Sequence, residues 1–229
     1  MKTFTRFAEA YLAPQMAMPD VIANALRDAI FAGVFESSEP LRQEEIAAQF
    51  GVSRIPVREA FQKLVAEGLV VYSRNKGVRV APLSENDFID IQDLRSLLEG
   101  RALSLSAPLL TEDDLRNAEN CLKAAVKQDA PIERARLHWE FHHALYAKIN
   151  RPRLIAQIES LHISLQRYLL PVWADIGLAP NWEASHFGIT EAIRRHEIEN
   201  AVAMTVQQIE DATDRVLIAM KGGNNSNGE

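Results

Sequence analysis

The sequence predicts a mostly α-helical protein with two parts of different character. The stretch from Gly51 to Leu69 has the pattern of a tight turn followed by a helix with one buried and one exposed face. Two short strands separated by a cation-containing turn follow it, and every segment after residue 84 has helical periodicity. The predicted units are residues 19–82, residues 84–220 and a low-complexity tail, 221–229, that we expect to be disordered.

The first part begins with two helices that precede a glycine turn. Pro19 and Asp20 open a helix whose apolar residues recur at helical spacing and which Gly33 ends. Residues 36–40 have the composition of a turn, and a second helix is predicted over Gln43–Phe50. Two short helices joined at a glycine are the pattern of a helix-turn-helix.

The third helix carries the residues most suited to contact DNA. Its buried stripe consists of Val57, Phe61 and Leu64. Arg54 and Arg58 lie one turn apart near the helix start, away from that stripe, and Ser53 is predicted as the N-cap. A guanidinium in that place can pair with guanine edges or with phosphates.

The two strands after this helix form a predicted hairpin, a wing, with strands at residues 69–72 and 78–80. A wing tip with two cations can reach backbone phosphate or the minor groove, whereas the alternative is a solvated hairpin without function. The predicted DNA-binding residues are Ser53, Arg54, Ile55, Pro56 and Arg58 on the helix, with Arg74, Lys76 and Gly77 on the wing.

The charge of the chain is divided unequally between the two parts. Residues 20–82 contain eight Lys and Arg against eight Asp and Glu, whereas residues 83–229 contain fifteen against twenty-two. The net charge of -6 therefore comes from the second part. A neutral first part can still bind DNA if its cations share one face.

Composition places the chain in a reducing compartment. The single cysteine, Cys121, excludes an internal disulfide, and no apolar run reaches the length of a membrane span. The N-terminus lacks the pattern of a signal peptide. We expect a cytoplasmic protein that does not bind membranes.

Six helices are predicted in the second part. Their predicted bounds are residues 84–105, 111–128, 131–148, 152–172, 181–196 and 197–220. Thr111 and Asp114 form a predicted capping box at the start of the second of these helices.

Histidines and one arginine are the candidate ligand-binding groups of the second part. His138 and His142 are four residues apart and therefore share one helical face, where two imidazoles can bind one metal ion. The alternative is a pair of interior histidines held by hydrogen bonds. Arg95 is suited to binding the carboxylate of an effector, or else to a salt bridge with Glu99 four residues later.

The motif from Ser53 to Ala60, within residues 41–69, closely resembles the signature of the GntR family of bacterial transcription regulators. The helical part resembles the FCD ligand-binding domain of the FadR subfamily, whose opening Arg-x-x-Leu-Glu pattern is similar to Arg95–Glu99. The resemblance implies a homodimeric regulator, most often a repressor, that binds a near-palindromic operator. It also implies that a small organic acid controls DNA affinity.

The resemblance implies a metal site as well. Many FCD domains hold a metal with an aspartate, a histidine four residues later and two further histidines. Carried over by position, these places are His138, His142, His186 and Gln208, so a histidine replaces the aspartate and an amide replaces the last histidine. Three imidazoles suit Zn²⁺ or Ni²⁺. A site that has lost the metal and binds an anion through its histidines is the alternative.

Two other functions are compatible with these residues. A metal-dependent enzyme would use the histidine cluster, although the helix-turn-helix and wing would then be unexplained. A regulator whose second domain only dimerises would have no effector at all. A ligand-responsive DNA-binding regulator, without enzymatic activity, accounts for both parts of the chain.

Overall fold

The computed structural model describes residues 16–73, 77–176 and 178–224. The chain divides into two compact units, Met1–Leu83 and Ser84–Glu229. The predicted wing-tip residues Arg74 and Lys76 lie outside the described residues.

In its described part, the N-terminal unit contains three helices, as the sequence predicts, and a small sheet. Helix α1 packs against α3, and their apolar faces meet at Ile22, Leu26, Phe61 and Leu64, all of which are buried. In order, the elements are α1 (Met18–Phe31), β1 (Pro40–Leu41), α2 (Gln43–Phe50), α3 (Arg54–Ala66), β2 (Val70–Ser73) and β3 (Gly77–Val80).

The sheet has three strands in the order β1-β3-β2, not the two strands of the predicted hairpin. Residues 36–40 were predicted as a turn, but Pro40 pairs with Arg79 and Leu41 with Val78. A two-residue strand is too short to show alternation in the sequence, and proline is tolerated as the first residue of a strand. Strand β1 ties the segment before α2 to the wing.

The turn between α2 and α3 depends on Gly51, which has a φ of 65°. The Val52 amide donates to the Ala47 carbonyl at 3.0 Å, which closes α2 and lets α3 start at once. Ser53 occupies the N-cap position of α3, as the sequence predicts, although its side chain makes no capping hydrogen bond. Instead, Gln43 Nε2 donates to the Arg54 carbonyl at 2.6 Å and joins the two helix starts.

The second unit is a helical bundle. The predicted capping box is confirmed, because the Thr111 side chain accepts from the Asp114 amide and the Asp114 side chain accepts from the Thr111 amide. The last helix ends at Asn224, so it extends into the predicted tail, whose remaining residues 225–229 lie outside the described part. The helices are α4 (Glu85–Ser106), α5 (Glu112–Val126), α6 (Pro131–Tyr146), α7 (Pro152–Ile176), α8 (Trp182–Arg194) and α9 (Ile198–Asn224), with a 3-10 turn at Ala107–Leu109.

The core of the bundle joins residues from α4, α5, α6, α7 and α8. Leu103, Leu122, Phe141, Ile158 and Ile189 are among its fully buried side chains. Within the described ranges, no helix combines the length and the apolarity that a membrane span requires.

Candidate DNA interface and histidine site

The exposed face of α3 carries the predicted groove-reading residues. Arg54, Ile55 and Arg58 are exposed, whereas Val57 and Phe61 on the opposite face are buried. Ile55 is 60% exposed. Beside two guanidinium groups, such a side chain is suited to contact thymine methyls in a major groove.

Arg54 forms an ion pair with Glu44 on α2, with Nη2 and Oε1 separated by 2.9 Å. Both side chains are about two-thirds exposed, at 66% and 70%. Exposed pairs contribute at most about 1 kcal/mol. The pair therefore orients Arg54 without preventing its transfer to a phosphate or a base.

The wing begins its return strand at Gly77. Gly77 pairs with Ser73 across the hairpin and has a φ of 76°, a conformation that strains residues with a side chain. Glycine therefore closes the hairpin whose tip residues are outside the described part of the chain.

Three histidines from two helices of the bundle meet at their Nε2 atoms. His138 and His142 lie one turn apart on α6, and His186 comes from the first turns of α8. His138 Nε2 is 2.8 Å from His186 Nε2 and 3.0 Å from His142 Nε2. The structure thus brings together the three predicted metal ligands.

The surroundings of Nδ1 differ between two of these rings. His186 Nδ1 lies 2.6 Å from the Trp182 carbonyl oxygen, so it must donate and leave the Nε2 lone pair free for a ligand. His142 Nδ1 is buried without a hydrogen-bond partner and lies 4.0 Å from Glu99 Oε2. The His186 contact therefore favours the tautomer whose Nε2 lone pair faces the cluster.

Burial keeps the cluster uncharged. It lowers the pKa of His186 to about 4, and it holds the pKa values of His138 and His142 well below the ordinary value. Neutral imidazole is the form that binds a metal ion. A tetrahedral ion with Zn–N bonds of 2.0–2.1 Å needs its ligand nitrogens roughly 3.3 Å apart. The donor set therefore fits a divalent metal after shifts of a few tenths of an ångström.

We expect the metal-free protein to lose stability as the pH falls from about 6.5 to 4. The three histidines are neutral in the folded state and bind protons when the chain unfolds. Acid therefore stabilises the unfolded state relative to the folded one. Each contributes up to about 1.4 kcal/mol per pH unit within that window. Urea unfolding in the presence of a chelator measures the slope. A His186→Phe variant should show a shallower slope, and an equal slope would contradict the assignment.

Gln208 on α9 borders the same cavity as the histidines. Its Oε1 and Nε2 atoms are both buried, and neither has a hydrogen-bond partner. Buried amide groups are almost always paired, and an unpaired one costs about 1–3 kcal/mol. Gln208, which the sequence predicts at the fourth metal position, therefore lies at the cavity with both polar atoms free to bind a ligand.

A buried network next to the cluster was only partly anticipated from the sequence. Glu99 accepts from Arg95 Nε at 2.7 Å, from Tyr146 Oη at 2.8 Å and lies 3.0 Å from His162 Nε2. Burial alone would raise the pKa of Glu99, but the charge of Arg95 and the contact with His162 lower it below its usual range. The carboxylate is therefore ionised at neutral pH.

The salt-bridge alternative for Arg95 is present in the structure. Arg95 is 4% exposed, pairs with Glu99, and donates from Nη1 to Gln92 Oε1 at 2.8 Å. It also borders the cavity of the histidines, so its predicted contact with an effector remains compatible with this pairing. Helical periodicity could not indicate that Tyr146 and His162 contact Glu99, because these two residues lie on two other helices.

One cavity of about 90 Å³ connects these groups. Its polar lining includes Arg95, the three histidines and Gln208, together with Asn181, Ser185, Asp211 and Arg215. Its apolar wall includes Leu169, Val172, Trp173, Trp182 and Val216. A pocket with a cation, imidazoles and an apolar wall is suited to a small organic anion.

Known relatives agree with the fold and with both units. Residues 19–80 match the family described as bacterial regulatory proteins, gntR family, and residues 90–211 match the FCD domain. The Nta operon transcriptional regulator of Aminobacter aminovorans is 26% identical over 193 residues, 82% of this chain and 89% of that protein. The "Probable D-xylose utilization operon transcriptional repressor" of Paenarthrobacter nicotinovorans is 31% identical over 186 residues, 79% and 82% of the two chains.

Solved structures show the same architecture. A GntR-family regulator from Pseudomonas syringae pv. tomato is 33% identical, with 97% of each chain covered and a TM-score of 0.55. A GntR-type regulator from Rhodococcus sp. RHA1 is 25% identical, with 88% of this chain and 98% of that chain covered and a TM-score of 0.72. The chain therefore belongs to the GntR family of DNA-binding transcription regulators, with a FadR-like FCD domain, and it is not an enzyme.

Proposed function

We propose that this regulator is a cytoplasmic repressor whose affinity for its operator is controlled by a small carboxylic acid in the FCD domain. The observation that carries the proposal is the cavity at which Arg95, three neutral histidines and Gln208 meet. Burying a polar group without a partner lowers the stability of a domain. A second domain that only dimerised would therefore have no reason to bury these polar groups together.

A divalent metal, Zn²⁺ or Ni²⁺, is part of the proposal. His138, His142 and His186 would hold the ion through Nε2, and the ion would supply positive charge for a carboxylate when bound. Arg95 adds a second cation at the cavity, and Glu99 holds its guanidinium in place. The chain's own residues thus offer the acid positive charge and the apolar surface of two tryptophans, Trp173 and Trp182, that lie beside the histidines.

The proposed regulator acts as a homodimer. Leu94 and Leu97 on α4 are 47% and 70% exposed, and their spacing of three places them on one helix face. A second copy with a two-fold axis would bury such a face. Two α3 helices could then enter successive major grooves, which are about 34 Å apart, of a near-palindromic operator.

The effector acts by binding the DNA-competent and incompetent arrangements with different affinity. We expect coupling of about 1–3 kcal/mol, which changes operator affinity ~5–150-fold. Fluorescence anisotropy with a duplex selected from random-sequence DNA tests this, with Zn²⁺ present and small carboxylic acids added in turn. Operator affinity that no acid changes would favour the dimerisation-only alternative and contradict the proposal.

Removing either exposed arginine of α3 tests the groove assignment. We expect Arg54→Ala and Arg58→Ala each to weaken operator binding by about 1–3 kcal/mol, because each removes a contact to a base or phosphate. Arg136→Ala, which removes an exposed arginine from the FCD domain, is the matched control and should leave binding unchanged. Normal operator affinity in both α3 variants would show that another surface contacts DNA.

A further inference from the structure

We infer that Gln208 recognises the effector directly, and that the effector is a carboxylic acid with a hydroxyl group on the neighbouring carbon. This inference rests on the proposed function and specifies the chemical class of its ligand. Under this inference, Gln208 binds the effector and not the metal, although it occupies the position at which the resemblance to FCD domains implies a metal-binding histidine.

The starting observation is that both polar atoms of the Gln208 amide are buried at the cavity without a partner. Several neighbouring polar groups are paired with one another: Arg95 with Glu99, Glu99 with Tyr146, and His186 with the Trp182 carbonyl. His142 Nδ1 is the other unpartnered atom at this cavity among the described residues. A side chain with two unsatisfied atoms at a cavity wall stores binding free energy that a ligand can recover.

The chemistry of the amide decides what that ligand must offer. Nε2 donates two hydrogens and accepts none, whereas Oε1 only accepts. A metal ion bound at Oε1 would leave Nε2 without an acceptor. A simple carboxylate, ionised at neutral pH, would accept from Nε2 but has no hydrogen for Oε1.

A hydroxyl next to the carboxylate satisfies both atoms of the amide. Its O–H donates to Gln208 Oε1, while an oxygen of the same ligand accepts from Nε2. The carboxylate charge is then left for Arg95 and for a metal at the three histidines. Trp173 and Trp182 form an apolar wall for the carbon part of the ligand.

The cavity limits the size of the acid. Its volume of about 90 Å³ suits an acid of a few carbon atoms.

Matched pairs of acids test the inference on the full chain with saturating Zn²⁺. Glycolate and acetate, lactate and propionate, and malate and succinate each differ by one hydroxyl group. Isothermal titration should show that the hydroxy acid of at least one pair binds about tenfold more tightly, since it satisfies the buried Oε1. In Gln208→Met, which has similar length and no polar group, that ratio should fall to about one.

The stability of the variant separates recognition from folding. Without ligand, Gln208→Met should melt at the same temperature as the natural protein or higher, because two unsatisfied groups are removed. Gln208→Leu gives a second apolar replacement if methionine packs poorly.

Three results would overturn the inference. In the first, the hydroxyl preference persists in both apolar variants. In the second, Gln208→Met loses Zn²⁺ affinity while the preference persists, which would place the amide on the metal. In the third, plain acids bind the natural protein as tightly as hydroxy acids while still changing operator affinity, so that only the proposed function survives. If no acid of either kind binds, the proposed function itself fails.

Discussion

Replacing Glu99 with Gln is expected to lower the free energy of unfolding of the FCD domain by about 3–5 kcal/mol. Glu99 is fully buried and is the only charge that the structure pairs with Arg95, which is 4% exposed, among the described residues. The neutral amide leaves the guanidinium charge in a low-dielectric interior without compensation. It also replaces a strong acceptor for Tyr146 and His162.

Urea unfolding followed by tryptophan fluorescence measures this loss. The chain has three tryptophans, Trp139, Trp173 and Trp182, and all lie in the FCD domain, so the signal reports that unit. Glu140→Gln, which breaks the exposed pair with Arg136, is the matched control and should cost less than about 1 kcal/mol. A Glu99→Gln variant no less stable than this control would show that the buried pair contributes nothing.

A double variant tests whether the unpaired charge of Arg95 causes this loss of stability. Arg95→Met combined with Glu99→Gln removes the unpaired charge, and we expect it to recover part of the lost stability. Double-mutant cycles then separate the coupling of the pair from its other contacts. Independent, additive effects would contradict direct interaction between the two side chains.

Replacing His142 with Ala is expected to weaken Zn²⁺ binding by more than 100-fold. Loss of a partner that only orients a ligand already costs about 10–100-fold, so loss of a ligand itself should cost more. His142 Nε2 lies 3.0 Å from His138 Nε2, which in turn lies 2.8 Å from His186 Nε2, so His142 is one of the three candidate ligands. Competition with a chelating dye measures the affinity, and a metal-dependent rise in melting temperature gives a second readout.

His143 supplies the control for this variant. It is the next residue on α6, but it is exposed on another face of the helix. His143→Ala should keep the Zn²⁺ affinity of the natural protein, and both variants should bind operator DNA normally without effector. Natural protein that retains no metal when purified without chelator and binds none on addition would remove the metal from the proposal.

Much of the first domain could be predicted because its signals are local. Apolar residues at helical spacing, the glycine turn at Gly51 and the exposed Arg54 and Arg58 all lie within one short stretch. The capping box of Thr111 and Asp114 was predictable for the same reason, since its partners are three residues apart. The two residues of β1 were missed, because a strand of that length has no periodicity.

The histidine site could be predicted only in part from local sequence patterns. The pairing of His138 with His142 follows from helical spacing alone. The contribution of His186, 48 residues after His138, was carried over from the family and not worked out from the pattern. Its Nδ1 contact with the Trp182 carbonyl, which selects the tautomer, became visible only in the folded chain.

The sequence by itself therefore determined the two-part helical architecture, the exposed arginines of α3 and the placement of His138 and His142 on one helix face, because helix, turn and charge patterns are properties of neighbouring residues. The tertiary structure alone decided which polar groups are satisfied. It paired Arg95 with Glu99 and left Gln208 with two unpaired atoms at the cavity. Burial and long-range packing set the free-energy cost of a polar group, and neither can be computed from its place in the chain.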